Sequence, residues 1–353
     1  MGADAEALTA SRFPLAPVAA RLQNAPTRTH PTEPILSKPT NYPIDPELVP
    51  ILDVLPEDLD MSDPAALQAG RNAREIFFAQ AEDRDDVVKE DRSIPGPAGA
   101  PDVALRIYRP KDAPAGPLGC VYEIHGGGFV AGSIQMMDPW CQAVAAQLGA
   151  VVVSVEYRLA PEHAFPAAVE DCYAGLVWTT EHASELGIDP ARIAIAGQSA
   201  GGGLAAATAL LARDRGGPAL CFQVLEIPEL DDRLDTPSMK AFTDTPLWNR
   251  PNAVWSWKHY LGADHSGEVS EYAAPSRAKD LSGLPPAYVS TMEFDPLRDE
   301  GLIYAMRLLA AGVSVEVHNF PRTFHGSSLV VGAEVSRRGS REVMETLARA
   351  LAQ

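Results

Sequence analysis

The sequence predicts an α/β protein built on a mostly parallel, eight-stranded sheet flanked by helices. Eight short apolar runs of strand length lie between Asp86 and Phe320, and amphipathic stretches of helix length separate most of the later ones. Strand and helix in alternation place parallel strands in one layer with helices on both faces. Size agrees: 353 residues, 46% hydrophobic and 22% charged, suffice for one large packed domain with an appendage.

Taken in order, the chain opens on a proline-rich segment, residues 1–64, with 11 of the 31 prolines. Proline removes backbone donors and interrupts helices, so short elements and extended connectors are expected there. The same segment holds Phe13, Leu15, Val18, Leu22, Ile35, Leu36, Tyr42, Ile44, Leu48, Val49, Ile51, Leu52, Val54 and Leu55. That much apolar surface must pack on something. A helical pattern follows from Pro64 to Ala81, with Leu67, Ile76 and Phe77 as core candidates. The predicted strands are Val87–Ile94, Val103–Tyr108, Gly119–Ile124, Ala150–Val155, Arg192–Ala196, Leu220–Glu226, Ala287–Met292 and Val313–Phe320. The first two are joined by only Pro95 to Asp102, which predicts an antiparallel hairpin at one edge. The predicted helices are Met136–Leu148, Pro166–His182, Ser199–Arg213, Pro296–Ala311 and Glu334–Leu351.

One connection breaks the rhythm. Between Glu226 and Ala287 lie about sixty residues with Trp248, Trp255, Trp257 and Tyr260, too long for an irregular loop. The expected division is therefore 1–64, a core in two parts at 65–226 and 285–353, and an inserted substructure at 227–284.

Charge and cysteine usage narrow the function classes. With 29 Lys and Arg against 47 Asp and Glu, the net charge is −18, which argues against a nucleic-acid backbone or an anionic membrane surface as partner. Cys120, Cys141, Cys172 and Cys221 lack Cys-x-x-Cys spacing, so they read as reduced, small core residues rather than zinc ligands or a disulfide framework. No apolar run reaches the length of a membrane span. Met1 to Ala20 carries Asp4, Glu6 and Pro14, without a basic start or apolar stretch, and Glu6 stands where a myristoylation signal needs Ser or Thr. A cytoplasmic protein is expected.

Chemistry concentrates at three places. Gly197-Gln198-Ser199-Ala200-Gly201 reads G-x-S-x-G between a strand run and a helix run. That is the setting of a nucleophile elbow, where a strained turn exposes the hydroxyl and the glycines make room for neighbouring backbone. The motif alone fits a helix-capping serine equally well. His125-Gly126-Gly127-Gly128, directly after the third strand, tips the balance, because such a loop can aim backbone N–H groups at a developing oxyanion. No Gly-Lys-Ser/Thr follows it, and no dinucleotide G-x-G-x-x-G is present.

A serine nucleophile needs a base and an orienting carboxylate. Of the four later histidines, His259 and His265 lie in the insertion and His318 lies on a strand, sharing its face with Ser314 and Glu316. His325 follows the last strand, where the base belongs. Asp295 follows the seventh strand, although Asp before Pro also reads as a helix cap; Glu293 and Asp299 are the alternative acids.

Six motifs in order carry a family resemblance: His125-Gly126-Gly127-Gly128-Phe129, Tyr157-Arg158-Leu159-Ala160-Pro161-Glu162, Phe165-Pro166-Ala167-Ala168, Gly197-Gln198-Ser199-Ala200-Gly201-Gly202, Asp295-Pro296-Leu297-Arg298-Asp299-Glu300 and His325-Gly326. Over about residues 85–350 the chain resembles the bacterial hormone-sensitive-lipase-like (family IV) esterases of the α/β-hydrolase superfamily. The resemblance implies a cap built from the N-terminal segment and the insertion, and ester hydrolysis without a cofactor; no metal is expected either, since the sequence holds no H-E-x-x-H and no His, Asp or Cys set at ligand spacing. It implies Ser199 as nucleophile, Asp295 as acid and His325 as base, with an oxyanion hole from the N–H groups of Gly127, Gly128 and Ala200. Gln198 departs from the Asp or Thr common before the nucleophile.

The reading is a carboxylesterase acting on short- to medium-chain esters through a Ser-His-Asp triad and an acyl-enzyme. An amide or N-acetyl hydrolase with the same machinery is the enzymatic alternative. A non-hydrolytic ligand-binding protein on the same scaffold is the other, and the histidine at 325 favours the enzyme. A small ester is the expected partner, and a homodimer is compatible with the sequence.

Overall fold

The computed structural model describes residues 41–53, 60–78 and 82–352. Eight strands form one sheet: β1 (Val87–Ile94), β2 (Val103–Pro110), β3 (Leu118–Ile124), β4 (Val151–Glu156), β5 (Ile188–Gln198), β6 (Phe222–Glu226), β7 (Ala287–Phe294) and β8 (Val315–Phe324). Their spatial order is β1-β2-β4-β3-β5-β6-β7-β8. β2 runs antiparallel to both β1 and β4, and every other pairing is parallel. The edge hairpin is in register from Val87 opposite Pro110 to Ile94 opposite Val103.

The α-helices are α1 (Pro64–Phe78), α2 (Ile134–Leu148), α3 (Ala167–Glu181), α4 (Ala183–Leu186), α5 (Ala200–Asp214), α6 (Pro237–Ala241), α7 (Arg250–Leu261), α8 (Arg298–Ala310) and α9 (Glu334–Leu351). The period of two along the central strands divides the core between the sheet's faces. Tyr122, Ile124, Val153, Val155 and Ile195 pack against Cys172 and Leu176 of α3 and Leu204 of α5. Val121, Val152, Ala194 and Ala196 pack against Val144 of α2 and Leu347 of α9. Both faces are covered, so β3 is buried at every position and mostly apolar, with Glu123 the one charged residue in it. Cys120, Cys141 and Cys172 are buried free thiols and Cys221 is half-buried.

Val317 on β8 is 47% exposed. β8 is an edge strand with one neighbouring strand. His318 is half-buried, paired with Glu342 at 2.8 Å and stacked on Phe320.

Residues 1–40 and 54–59 lie outside the described residues, and with them Phe13, Leu15, Val18, Leu22, Ile35, Leu36, Val54 and Leu55. So do Gln80, Ala81 and the side chains of Ile76 and Phe77. The described part of the N-terminal segment is packed: Ile44, Leu48 and Leu52 join Phe242 of the insertion and Phe294 and Phe324 at the ends of β7 and β8. Met61 and Leu67 of α1 share a cluster with Val130, Ala131, Ala160, Met239, Trp248 and Ala253. Arg71 of α1 locks this cluster, with Nε donating to Val130 O and Nη2 to Ala160 O, both at 2.6 Å, while the guanidinium pairs with Glu162. α1 and the insertion thus sit over the C-terminal ends of the strands.

Candidate active site

The elbow is a close approach of two backbones. A Cβ on Gly197 would lie 2.2 Å from Gly201 O, and one on Gly201 would lie 2.1 Å from Ile124 O, so only glycine fits either position. Between them Ser199 takes φ 57° and ψ −124°, a left-handed conformation that costs a non-glycine residue about 1–3 kcal/mol. Three backbone bonds hold it there. Ser199 N–H donates to Glu226 O at 2.9 Å, and Ser199 O accepts from Gly203 and Glu229 N–H, each at 3.0 Å. α5 starts at the next residue and turns its positive end toward the hydroxyl.

Ser199, His325 and Asp295 come together across 126 and 30 residues of chain. Ser199 Oγ lies 3.0 Å from His325 Nε2, and His325 Nδ1 lies 2.7 Å from Asp295 Oδ2. Asp295 is fully buried, and Ser199 and His325 are 8% and 5% exposed. Asp295 is not the helix cap its sequence suggests, since α8 begins at Arg298; its Oδ1 accepts Leu297 N–H at 2.9 Å in a local turn. The alternative acids are committed elsewhere. Glu293 accepts Arg322 N–H, and Asp299 accepts Ser238 N–H and the Arg298 guanidinium. Of the other later histidines, His259 bonds Met61 O and His265 bonds Gly267 O.

The Gly126–Gly128 loop lies directly against the elbow, since a Cβ on Gly126 would sit 2.8 Å from Gln198 O. Gly128 has φ 61°, and a Cβ there would lie 2.5 Å from the Trp248 indole. The same indole stands 5.7 Å, centroid to centroid, from the His325 ring. Ser256 of α7 donates to Gly128 O at 2.9 Å. The insertion thus touches both the glycine loop and the histidine. Trp257 is buried in the core with Tyr260, while Trp255 is partly buried beside Lys258.

Two side chains within the motifs are structural. His125 is fully buried; burial pushes its pKa down to about 4, so the ring is neutral, stacked on Tyr157, whose hydroxyl donates to His125 O. Arg158 pairs with buried Asp171 through both Nε and Nη2. Gln198 donates to Glu226 Oε1 at 3.1 Å, and burial raises the Glu226 pKa to about 6. Sequence reasoning did not find Glu229, whose carboxyl is buried behind the elbow, or Ser256. Neither lies in a motif.

Among the described residues, no group of three or more His, Cys, Asp or Glu side chains is placed to hold a metal ion. No described helix is long and apolar enough to cross a membrane.

A family model described as alpha/beta hydrolase fold matches residues 121–329. The chain is 42% identical over 317 residues to carboxylesterase NlhH of Mycobacterium tuberculosis, covering 87% of this chain and 97% of that one. It is 32% identical to ethyl acetate hydrolase of Pseudomonas putida, covering 73% of this chain and 87% of that one. The solved structure of a bacterial heroin esterase superposes with a TM-score of 0.85 at 55% identity, over 88% of this chain and 99% of that one.

Proposed function

The chain belongs to the α/β-hydrolase family as a hormone-sensitive-lipase-like carboxylesterase, and from that premise we propose that it cleaves short- to medium-chain esters through Ser199, His325 and Asp295. The observation that carries the reading is the hydrogen-bonded line from Ser199 Oγ to His325 to buried Asp295, at 3.0 and 2.7 Å. Ser199 Oγ attacks the ester carbonyl as His325 Nε2 takes its proton. Asp295 keeps the imidazole proton on Nδ1 and stabilises the imidazolium that forms. The N–H groups of Gly127, Gly128 and Ala200 hold the developing oxyanion, each lowering the barrier by about 2.7–4 kcal/mol. His325 then returns the proton to the departing alcohol, and water repeats the cycle on the acyl-enzyme.

The short- to medium-chain preference is supported by Trp248, whose indole meets both Gly128 and the His325 ring and so narrows the space over the nucleophile. The Pseudomonas putida relative, named for ethyl acetate, points the same way. The insertion and residues 41–53 and 60–78 act as the cap, bounding the acyl site and excluding water. The working location is the cytoplasm. Turnover on a series of chromogenic esters from acetate to laurate tests the reading. Rates should peak at short to medium chains; a maximum at the longest chain would overturn the preference.

A further inference from the structure

Strands β7 and β8 fall out of step just before Asp295 and His325. Met292 pairs with Phe320 and Phe294 with Phe324, so Glu293 faces three residues, Pro321, Arg322 and Thr323. A bulge of this kind bends its strand and re-aims the side chain that follows. Pairing resumes at Phe324, and the next residue is His325. Arg322 stands in the bulge at φ 61°, a conformation that glycine takes freely and arginine does not. Its side chain is exposed, so packing does not hold it there. Hydrogen bonds do. Arg322 N–H donates to Glu293 Oε2 at 2.6 Å. Arg322 O accepts Asp45 N–H at 2.8 Å, while the guanidinium donates through Nε to Pro43 O at 3.1 Å and through Nη2 to Ile44 O at 3.2 Å. The hydroxyl of buried Thr323 donates to Phe320 O at 2.7 Å and closes the bulge.

The same stretch of N-terminal chain covers the two residues that precede the acid and the base. Phe294 and Phe324 share a cluster with Ile44, Leu48 and Leu52, and the Tyr42 ring lies 5.3 Å from that of Phe294. We propose that Arg322 is a positioning residue: it clamps residues 43–45 onto the bulge and so holds His325 in line between Asp295 and Ser199. The proposal rests on the reading that His325 is the base. It gives Glu293 a task outside the triad, as the acceptor that pins the backbone of Arg322. Without the guanidinium, the left-handed residue relaxes toward negative φ and the chain shifts three residues before His325. The 3.0 Å contact between Ser199 Oγ and His325 Nε2 then lengthens, and proton transfer slows. Trp248 and the glycine loop, which bound the acyl site, make no contact with the bulge residues in this chain of bonds. The loss therefore falls on kcat, and KM changes little.

The test compares kcat and KM for a short ester, and the rate of fluorophosphonate labelling, in Arg322→Ala, Arg322→Gly, Glu293→Ala and Glu293→Gln, with folding checked by circular dichroism. R322A keeps the strain and loses the clamp, so kcat should fall about 10–100-fold, the scale of a misplaced catalytic group, with KM within about threefold of wild type. R322G takes φ 61° without strain and should recover most of that loss. A side chain that only stabilised the fold would rank the two the other way, because glycine costs more than alanine in the unfolded chain. E293A should lose kcat as R322A does, whereas E293Q still offers a carbonyl to Arg322 N–H and should stay within about threefold of wild type. Labelling rates should follow kcat, since both need the Ser199–His325 pair. Wild-type kcat in R322A overturns the inference, as does a loss confined to KM, or R322G falling below R322A. Should R322A fail to fold, wild-type kcat in E293A overturns it alone. Each of these results leaves the esterase reading standing, whereas ester turnover surviving in Ser199→Ala would remove that reading instead.

Discussion

Asp295 divides its two oxygens between His325 and the backbone: Oδ2 faces His325 Nδ1 at 2.7 Å, and Oδ1 accepts Leu297 N–H at 2.9 Å. The second bond fixes what an amide would do at this position. In Asp295→Asn the amide oxygen stays on Leu297 N–H, so the NH2 group turns to His325. Nδ1 must then accept, the imidazole proton moves to Nε2, and Nε2 can no longer take the Ser199 proton.

Asp295→Asn should therefore lower kcat by roughly 10⁴-fold with the fold retained, as checked by steady-state kinetics beside circular dichroism. Near-wild-type activity in a folded variant would move the acid role to Glu293 or Asp299.

Gly128 is confined by Trp248. An added methyl would sit 2.5 Å from the indole, at a φ of 61° that costs a non-glycine residue about 1–2 kcal/mol. Gly128→Ala should reduce kcat at least ~100-fold by displacing the oxyanion loop. Trimming the indole in Gly128→Ala/Trp248→Leu should recover part of the loss. Unchanged kcat in the single variant would show that the loop tolerates the displacement.

Buried Glu123 on β3 makes stability depend on pH. Its Oε2 accepts from Ser154 and Cys141, Oε1 has no partner among the described residues, and burial raises its pKa from 4.5 to about 8. The folded state then binds a proton the unfolded state has lost, so this contribution is fully present below about pH 4.5 and disappears as pH rises through about 8. Glu123→Gln, which cannot ionise, should show a shallower fall in Tm between pH 5 and 9 than the wild type. Parallel Tm curves would refute the assignment.

Most of the frame was legible in the sequence because it depends on local pattern. The eight strands, the edge hairpin and the strand-Ser199-helix turn each follow from spacing of apolar residues, glycines and prolines within some fifteen residues. His325 was legible by elimination, because it alone among the later histidines follows the last strand. Tertiary contacts were not. Arg71 reaches Glu162 across 91 positions, and Ser256 reaches Gly128 across 128, with nothing periodic to mark either pair. Glu229 looks like an ordinary loop acid, and only its burial behind the elbow sets it apart.

The central claim is that Ser199 is the nucleophile, and covalent labelling tests it most directly. Wild-type protein treated with a fluorophosphonate should gain one adduct, mapped by mass spectrometry to the peptide containing Ser199, in step with loss of esterase activity. Ser199→Ala should take up no label and lose at least ~10³-fold in kcat. Full labelling of Ser199→Ala, or an adduct mapped to another residue while activity disappears, would contradict the account.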